Sequence, residues 1–242
     1  MIKHSITIKS SDYKYPTTEE RARVRAESRL LSPFGFEYNS EIKMLFEDNL
    51  PSEEVKRISD LYEWDMCLLN KLGKLSETNV LLRTSYQRGQ VEQIEIEKAI
   101  NDYLFDYYTE IYYFYFFSAR DLIAQIINVF YKLKIQDKDV DFRKLVQNQD
   151  PLFINDILTD FHTATKKTND IRNSFTHRFP SNYPDRRVNI INNNGRIAYG
   201  FGSETVITPK DLIENIIESH NRLADLIMKL KVEFGKEKMP CS

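Results

Sequence analysis

The sequence predicts a mainly α protein, in which a helical bundle carries a β-hairpin before its last helix and a small α/β elaboration at its N terminus. Apolar residues recur every three or four positions over several long segments, and the period changes to two over residues 188–201 and in two short segments near the N terminus. The chain is 41% hydrophobic and 12% aromatic, with only 7 Gly and 8 Pro, which excludes disorder and low-complexity architecture. The protein is therefore expected to bury one substantial core.

Residues 1–90 are assigned to the N-terminal elaboration. Alternation of apolar and polar residues predicts two short strands, over 2–8 and over 34–38. Between them, Thr17 and Glu20 form a capping-box pattern, which predicts the start of a helix.

Two further helices are predicted before residue 91. The first starts after Ser52 and ends at Gly73, because glycine favours the position after a helix. A shorter helix follows over 77–88.

Residues 91–235 are assigned to the bundle proper. Its densest helical signal covers 91–134, where aromatic and aliphatic side chains occupy most faces, so this helix is expected at the centre. Pro151 is placed at the first position of the next long helix, which is expected to end near residue 179.

A hairpin is assigned to residues 187–202. Its two apolar runs flank Asn194-Gly195, a dipeptide typical of type I′ turns because both central residues need positive φ. Thr208, followed by proline, predicts the N-cap of the last helix, which leaves 236–242 as a C-terminal tail.

Charge and composition restrict the function classes. The formal net charge is −2, from 34 basic and 36 acidic residues, so any nucleic-acid site must be local. The two cysteines are far apart and form no Cys-x-x-Cys motif, and common nucleotide-binding, zinc-protease and hydrolase signatures are absent from the sequence. We expect a cytoplasmic protein with no cofactor, no metal site, no signal peptide and no membrane association.

One polar cluster stands out, at the end of the helix before the hairpin: Arg172-Asn173-Ser174-Phe175-Thr176-His177. At about 100° per residue, Ile171 and Phe175 point into the bundle, whereas Asn173 and His177 lie on the opposite side. Arginine binds phosphate through two parallel donors, and histidine can accept and donate a proton near neutral pH. Together, the two side chains have the chemistry needed to cleave RNA through its own 2′-hydroxyl.

The arrangement of Arg172, Asn173 and His177 resembles the Arg-x(4–6)-His motif of the HEPN superfamily, over residues 91–235 and with greatest similarity to larger bacterial HEPN-domain proteins. The resemblance implies a metal-independent endoribonuclease in which Arg172 and His177 are the catalytic pair and Asn173 is the accompanying polar residue. It also implies a homodimer with its active site at the interface, RNA as substrate, and a role as toxin or antiviral effector with an antitoxin protein as partner.

The neighbourhood of the motif suits phosphate contact. Residues 160–187 contain six basic and three acidic residues, a local charge of +3. Lys166, Lys167 and Arg178 are the candidate RNA-binding residues. Glu110, within the aromatic helix, is a candidate supporting residue that either pairs with a cation such as Arg172 or lies at a rim.

Several alternatives remain at this stage. Arg172 and His177 could form an ordinary solvated helix end, which the helix dipole favours, and the protein could be a non-catalytic HEPN-like scaffold that binds nucleotide, RNA or protein. A third alternative places the functional surface on the hairpin and N-terminal strands.

Other motifs have structural and functional interpretations. The row Arg21, Arg25 and Arg29 is either an RNA path or a solvated helix face. Tyrosines in the aromatic helix either stack on bases or, as we favour, belong to the core and the dimer interface: Tyr107, Tyr108, Tyr112, Tyr113 and Tyr115. His220 is predicted to be a hydrogen-bonded core histidine, and His162 a surface residue.

Overall fold

The computed structural model describes residues 13–36, 52–89, 96–147, 154–177, 182, 187–193, 196–201 and 206–236. In these ranges the helices are α1 (Thr18–Ala26), α2 (Ser52–Gln87), α3 (Ile96–Phe130), α4 (Phe142–Val146), α5 (Asn155–Ala164), α6 (Lys166–His177) and α7 (Pro209–Lys236). The strands are β1 (Val188–Asn193) and β2 (Arg196–Phe201). The prediction of a mainly helical protein is confirmed.

Helix α1 begins at the predicted capping box. The Glu20 N–H donates to Thr17 Oγ1 at 3.2 Å, and the Thr17 N–H donates to the Glu20 carboxylate at 2.8 Å. Arg21 forms an ion pair with Glu77 of α2 at 2.7 Å, so α1 is fixed against the bundle by charge as well as by its one buried side chain, Val24.

The predicted strand at 34–38 is wrong over its described part, 34–36. The backbone N–H groups of Phe34, Gly35 and Phe36 all donate to the buried carboxylate of Asp65, at 2.7–3.2 Å. Gly35 adopts φ 84°, a left-handed conformation that breaks a strand and that glycine adopts easily. The segment is therefore a turn wrapped around a carboxylate, and the predicted strand at 2–8 lies outside the described residues.

The predicted helix end at Gly73 is also wrong, because α2 runs without interruption from Ser52 to Gln87. A glycine inside a helix costs about 1 kcal/mol relative to alanine. Buried leucines continue on both sides of it, at positions such as Leu68, Leu72 and Leu75, and pack against α3. Burial of each leucine side chain stabilises by roughly 2 kcal/mol, so packing outweighs the glycine.

Helices α2 and α3 form the central antiparallel pair. The ring of Tyr86, near the end of α2, lies 5.6 Å from that of Phe105, near the start of α3. At the other end, Lys132 Nζ lies 3.0 Å from the carboxylate of Glu54. The core is continuous across α2, α3, α5, α6 and α7, and its largest fully buried side chains include Tyr112, Tyr113, Phe105 and Phe116.

The long helix predicted after Pro151 is two helices, α5 and α6, separated at Thr165; Pro151 itself lies outside the described residues. The Thr165 hydroxyl is buried and donates to the Phe161 carbonyl at 2.8 Å, a back-bond that bends helices. The break lets α5 pack against α4 and α7, while α6 packs against α3 and α7.

Strands β1 and β2 pair antiparallel in the segment where the sequence predicts a hairpin. The register joins Val188 to Phe201 and Asn193 to Arg196, and residues 194–195, where the sequence predicts the turn, lie outside the described residues. The predicted cap of the last helix is confirmed, since the Asp211 N–H donates to Thr208 Oγ1 at 3.1 Å.

Among the described helices, none is both long enough and apolar enough to cross a membrane.

Candidate functional site

A buried polar network positions α6 against α3 and α7. The Tyr113 hydroxyl donates to Asn215 Oδ1 at 2.9 Å, and Asn215 Nδ2 lies 3.2 Å from Thr168 Oγ1. All three side chains are less than 10% exposed, and burial raises the pKa of Tyr113 well above its usual value, so its hydroxyl stays a donor. The sequence predicts Tyr113 as a core residue but not its polar partners, because a single asparagine or threonine gives no periodic signal.

The inward face of α6 fixes the orientation of the motif. Ile171 is 2% exposed, and Ser174 is buried with its hydroxyl donating to the Ile171 carbonyl at 2.7 Å. Phe175 is only half-buried, and its ring lies 5.8 Å from that of Tyr113. The predicted inward direction of Ile171 is confirmed, and Arg172 and Asn173 lie beside this face, half-buried.

The Arg172 guanidinium is held by an aromatic ring and an amide. Its central carbon lies 5.5 Å from the centroid of the Phe117 ring, and its Nη1 donates to Asn173 Oδ1 at 3.1 Å. A guanidinium stacked in this way loses little conformational freedom when it binds an anion. Asn173 therefore orients the arginine of its own chain.

A second guanidinium shares the same ring. The central carbon of Arg120 lies 4.6 Å from the Phe117 centroid, and Arg120 donates to the carboxylate of Asp121. Phe117 and Arg120 were missed by sequence analysis, because on α3 they look like one more core aromatic and one more surface charge. They contribute to the site only because α6 crosses α3 where Phe117 lies, which brings Arg172 against this ring.

The other predicted site residues lie on or beyond α6. The backbone of His177 ends α6, but its side chain and all of Arg178 lie outside the described residues, so their predicted positions stay predictions. Lys166 and Lys167 are exposed at the start of α6.

Glu110 is exposed on α3, which agrees with the rim alternative rather than with a buried pair. Of the tyrosines, Tyr112 and Tyr113 are buried as predicted, whereas Tyr107 is 50% exposed and stacks on Tyr103, itself 51% exposed, at 6.4 Å between centroids. The neighbouring Asp106 accepts from Asn182, five residues beyond the end of α6, at 3.2 Å. The two exposed rings thus lie near the chain that leaves the motif.

The arginine row at the N terminus pairs with carboxylates of the bundle, while Arg25 and Arg29 stay exposed, as the solvated-face interpretation predicts. Arg21 and Arg25 both approach the carboxylate of Glu77, at 2.7 Å and 3.7 Å, and Arg29, beyond the end of α1, pairs with Asp225 of α7. Their charges connect α1 and the segment after it to the bundle.

Two histidines outside the motif have lowered pKa values. His220 is 3% exposed and its Nε2 lies 3.0 Å from the Arg29 carbonyl, which confirms it as a hydrogen-bonded core histidine. Burial lowers its pKa, and the nearby guanidinium of Arg83 adds to the effect. His162 is half-buried, and burial together with the charges of Arg120 and Arg143 lowers its pKa as well.

The lowered pKa of His220 predicts a loss of stability in mild acid. Because the unfolded chain binds a proton below about pH 6.5 and the folded chain resists it, the free energy of unfolding should fall as the pH drops from 7 towards 5. Urea titrations at several pH values should give a shallower slope for His220→Gln than for the wild type. The same slope in both proteins would contradict the prediction, since His162 contributes equally to each.

Among the described residues, no three His, Cys, Asp or Glu side chains lie close enough together to hold a metal ion. The groups that the structure brings together around Phe117 are instead cationic: Arg120 and Arg172.

The fold and site together define the class of protein: a helical bundle with an Arg-Asn-x3-His motif at the end of the helix before the hairpin. Residues 64–231, more than half of the chain, match the model of the Cthe2314-like HEPN family. The chain belongs to this family. The match begins inside α2, before the start of the resemblance expected at residue 91. No curated protein and no solved structure matches the chain.

Proposed function

We propose that this protein is a metal-independent endoribonuclease of HEPN type, which acts as a homodimer on single-stranded or loop RNA. The observation that carries the proposal is the Arg172 guanidinium, oriented by Phe117 and Asn173 five residues before His177 on the same helix. An arginine held in this way is suited to a phosphate whose charge grows in the transition state.

In the proposed reaction the 2′-oxygen attacks the adjacent phosphorus and the bond from phosphorus to the 5′-oxygen breaks. His177 of one protomer accepts the proton of the 2′-hydroxyl, and His177 of the second, in its protonated form, donates one to the departing 5′-oxygen. Arg172 stabilises the phosphorane, and Asn173 holds Arg172. The products are a 2′,3′-cyclic phosphate and a 5′-hydroxyl.

The surroundings support RNA as substrate. Lys166 and Lys167 place two exposed positive charges on α6, and Arg120, which pairs with Asp121, contacts the same ring as Arg172. The exposed stacked rings of Tyr103 and Tyr107 offer faces on which unpaired bases can stack, at roughly 1–3 kcal/mol per base. We further propose that such cleavage makes the protein a toxin or antiviral effector, controlled by an antitoxin protein.

Purified protein incubated with total RNA in EDTA tests the proposal. The wild type should generate fragments with 2′,3′-cyclic phosphate ends, with a rate that depends on a group titrating near neutral pH. His177→Ala should abolish cleavage, whereas His162→Ala, on the neighbouring helix, should retain it. Sedimentation equilibrium on the same samples should give a dimer.

Two outcomes would contradict the proposal. Cleavage that EDTA removes and manganese restores would place the chemistry elsewhere in the chain. RNA binding without cleavage in the wild type would favour the alternative, a non-catalytic HEPN-like scaffold.

A further inference from the structure

A cavity of about 90 Å³ lies between the segment before α1, the end of α2 and the start of α3. Three tyrosines dominate its lining, and we call it the tyrosine pocket. Tyr13 and Tyr15 are 39% and 77% exposed, so the pocket opens to solvent. At roughly 30 Å³ per water, the space equals about three waters, which suits one flat ring and excludes the face of a helix. The lining includes Tyr13, Tyr15, Pro16, Leu81, Leu104 and Tyr108.

Arg88 holds the wall that residues 13–16 form. Its guanidinium donates to the backbone carbonyls of Lys14 at 2.6 Å and of Tyr15 at 3.1 Å. It also donates to the carboxylate of Glu20 at 2.7 Å and 2.9 Å, which lowers the pKa of Glu20 and keeps this pair charged at neutral pH. Because the wall is tied to the end of α2 in this way, the pocket exists before a ligand enters it.

The phenol groups around the pocket lie close to one another. Burial raises the pKa of Tyr108, and the neighbouring phenols of Tyr15, Tyr107 and Tyr13 raise it further. Tyr108 is therefore protonated at neutral pH. A phenol hydroxyl both donates and accepts hydrogen bonds, and the edges of nucleobases carry donors and acceptors as well. The pocket thus combines aromatic faces with hydrogen-bonding groups of both kinds.

The tyrosine pocket continues the row of exposed rings on α3. The ring centroid of Tyr108 lies 5.3 Å from that of Tyr107, which in turn stacks on Tyr103 at 6.4 Å. Tyr108 precedes Phe117 by nine residues, a rotation of about 180° around the helix. The pocket therefore lies on the other side of α3 from the Arg172 guanidinium and is separate from the proposed catalytic site.

We propose that the tyrosine pocket binds a single nucleobase, which stacks on a tyrosine ring and forms hydrogen bonds with the hydroxyls at its edge. Aromatic side chains stack on any base, because every base has a π face. A free nucleoside and an unpaired base of an RNA strand both carry this ring. The row of exposed tyrosines favours the strand, and only this choice of source rests on the proposed function.

Saturation-transfer NMR of the full-length protein with adenosine tests the proposal. Transfer to the protons of the base should be saturable and should exceed transfer to the ribose protons, and ribose alone should show no saturable transfer. Tyr15→Leu removes one ring of the pocket and should weaken adenosine binding at least about fivefold. This factor is the lower end of what one base stacked on an aromatic side chain contributes.

Phe114→Leu is the matched control. It also exchanges an exposed aromatic side chain for leucine, but Phe114 does not line the pocket, so this variant should bind adenosine as the wild type does. Both variants should keep the melting temperature of the wild type, because Tyr15 and Phe114 are 77% and 59% exposed.

Single-stranded oligodeoxyadenylate identifies the source of the base. It lacks 2′-hydroxyls and cannot be cleaved by the proposed reaction, so its binding is measured independently of the proposed function. Binding more than about tenfold tighter than that of adenosine, and weakened by Tyr15→Leu, would identify a strand. Binding equal to that of adenosine would identify a free nucleoside.

Absence of saturable transfer to the base protons of both probes would overturn the proposal. Equal adenosine binding by Tyr15→Leu and the wild type would overturn it as well. Saturable base binding in a protein that does not cleave RNA would support the tyrosine pocket and contradict only the proposed function.

Discussion

Arg172→Lys should lower the rate of RNA cleavage by about 100-fold, the usual cost of removing one donor from a site that stabilises developing charge. Lysine keeps the positive charge, but it loses the planar fork that binds two phosphate oxygens and stacks on Phe117. It also cannot donate to Asn173 Oδ1 while presenting two further aligned donors to a phosphate. Single-turnover cleavage of a labelled RNA measures the effect.

The matched control is Arg143→Lys, in helix α4, where the side chain is exposed. This variant should cleave at the wild-type rate, which separates the geometry of Arg172 from the general effect of exchanging arginine for lysine. Both variants should have the melting temperature of the wild type. A rate for Arg172→Lys within about threefold of wild type, less than the cost of one hydrogen bond, would refute the assigned role.

Phe116→Ala should reduce the free energy of unfolding by about 3–5 kcal/mol, the range for truncating a fully buried aromatic side chain. The ring of Phe116 is 0% exposed and packs on Tyr112, Phe117 and Phe161, with centroids 5.2–6.2 Å apart. The Phe116 ring joins α3 to α5 beside the site. The empty space left by its truncation would therefore weaken the packing that positions α6. Urea unfolding followed by circular dichroism gives the free energy.

Phe114→Ala is the control, two residues earlier in the same helix. Its ring is 59% exposed, so the substitution should cost less than about 1 kcal/mol, mainly through the lost contact with Lys71. Both variants replace phenylalanine by alanine in α3, so the change in helix propensity cancels. Equal destabilisation would mean that the two rings do not lie on opposite faces.

Short-range sequence patterns alone predict several features of the structure. The caps at Thr17 and Thr208 are hydrogen bonds between residues three positions apart at a helix start, so they need no contact with another part of the chain. The burial of Tyr112 and Tyr113 follows from the apolar character of α3 on most of its faces. The motif beginning at Arg172 carried the family resemblance, because its residues lie within one turn and a half of a single helix.

The errors lie where residues distant in sequence compete with a local preference. Gly73 favours a helix end, but packing between α2 and α3 carries the helix through it. The alternation at Phe34 favours a strand, but the carboxylate of Asp65, about 30 residues later, binds three successive N–H groups and imposes a turn. The helix break at Thr165 depends on whether its hydroxyl is buried against its own helix, which local pattern does not reveal.

The candidate site, too, has features that the sequence determines and features that only tertiary packing determines. The sequence by itself determined which chemical groups are present, an arginine, an amide and a histidine at one helix end. Only the tertiary structure decided that the Arg172 and Arg120 guanidiniums both contact the ring of Phe117, and that Tyr113, Asn215 and Thr168 form one buried hydrogen-bond network. The physical reason is that ring stacking and hydrogen-bond satisfaction depend on the relative placement of separate helices, which the burial of the whole core sets.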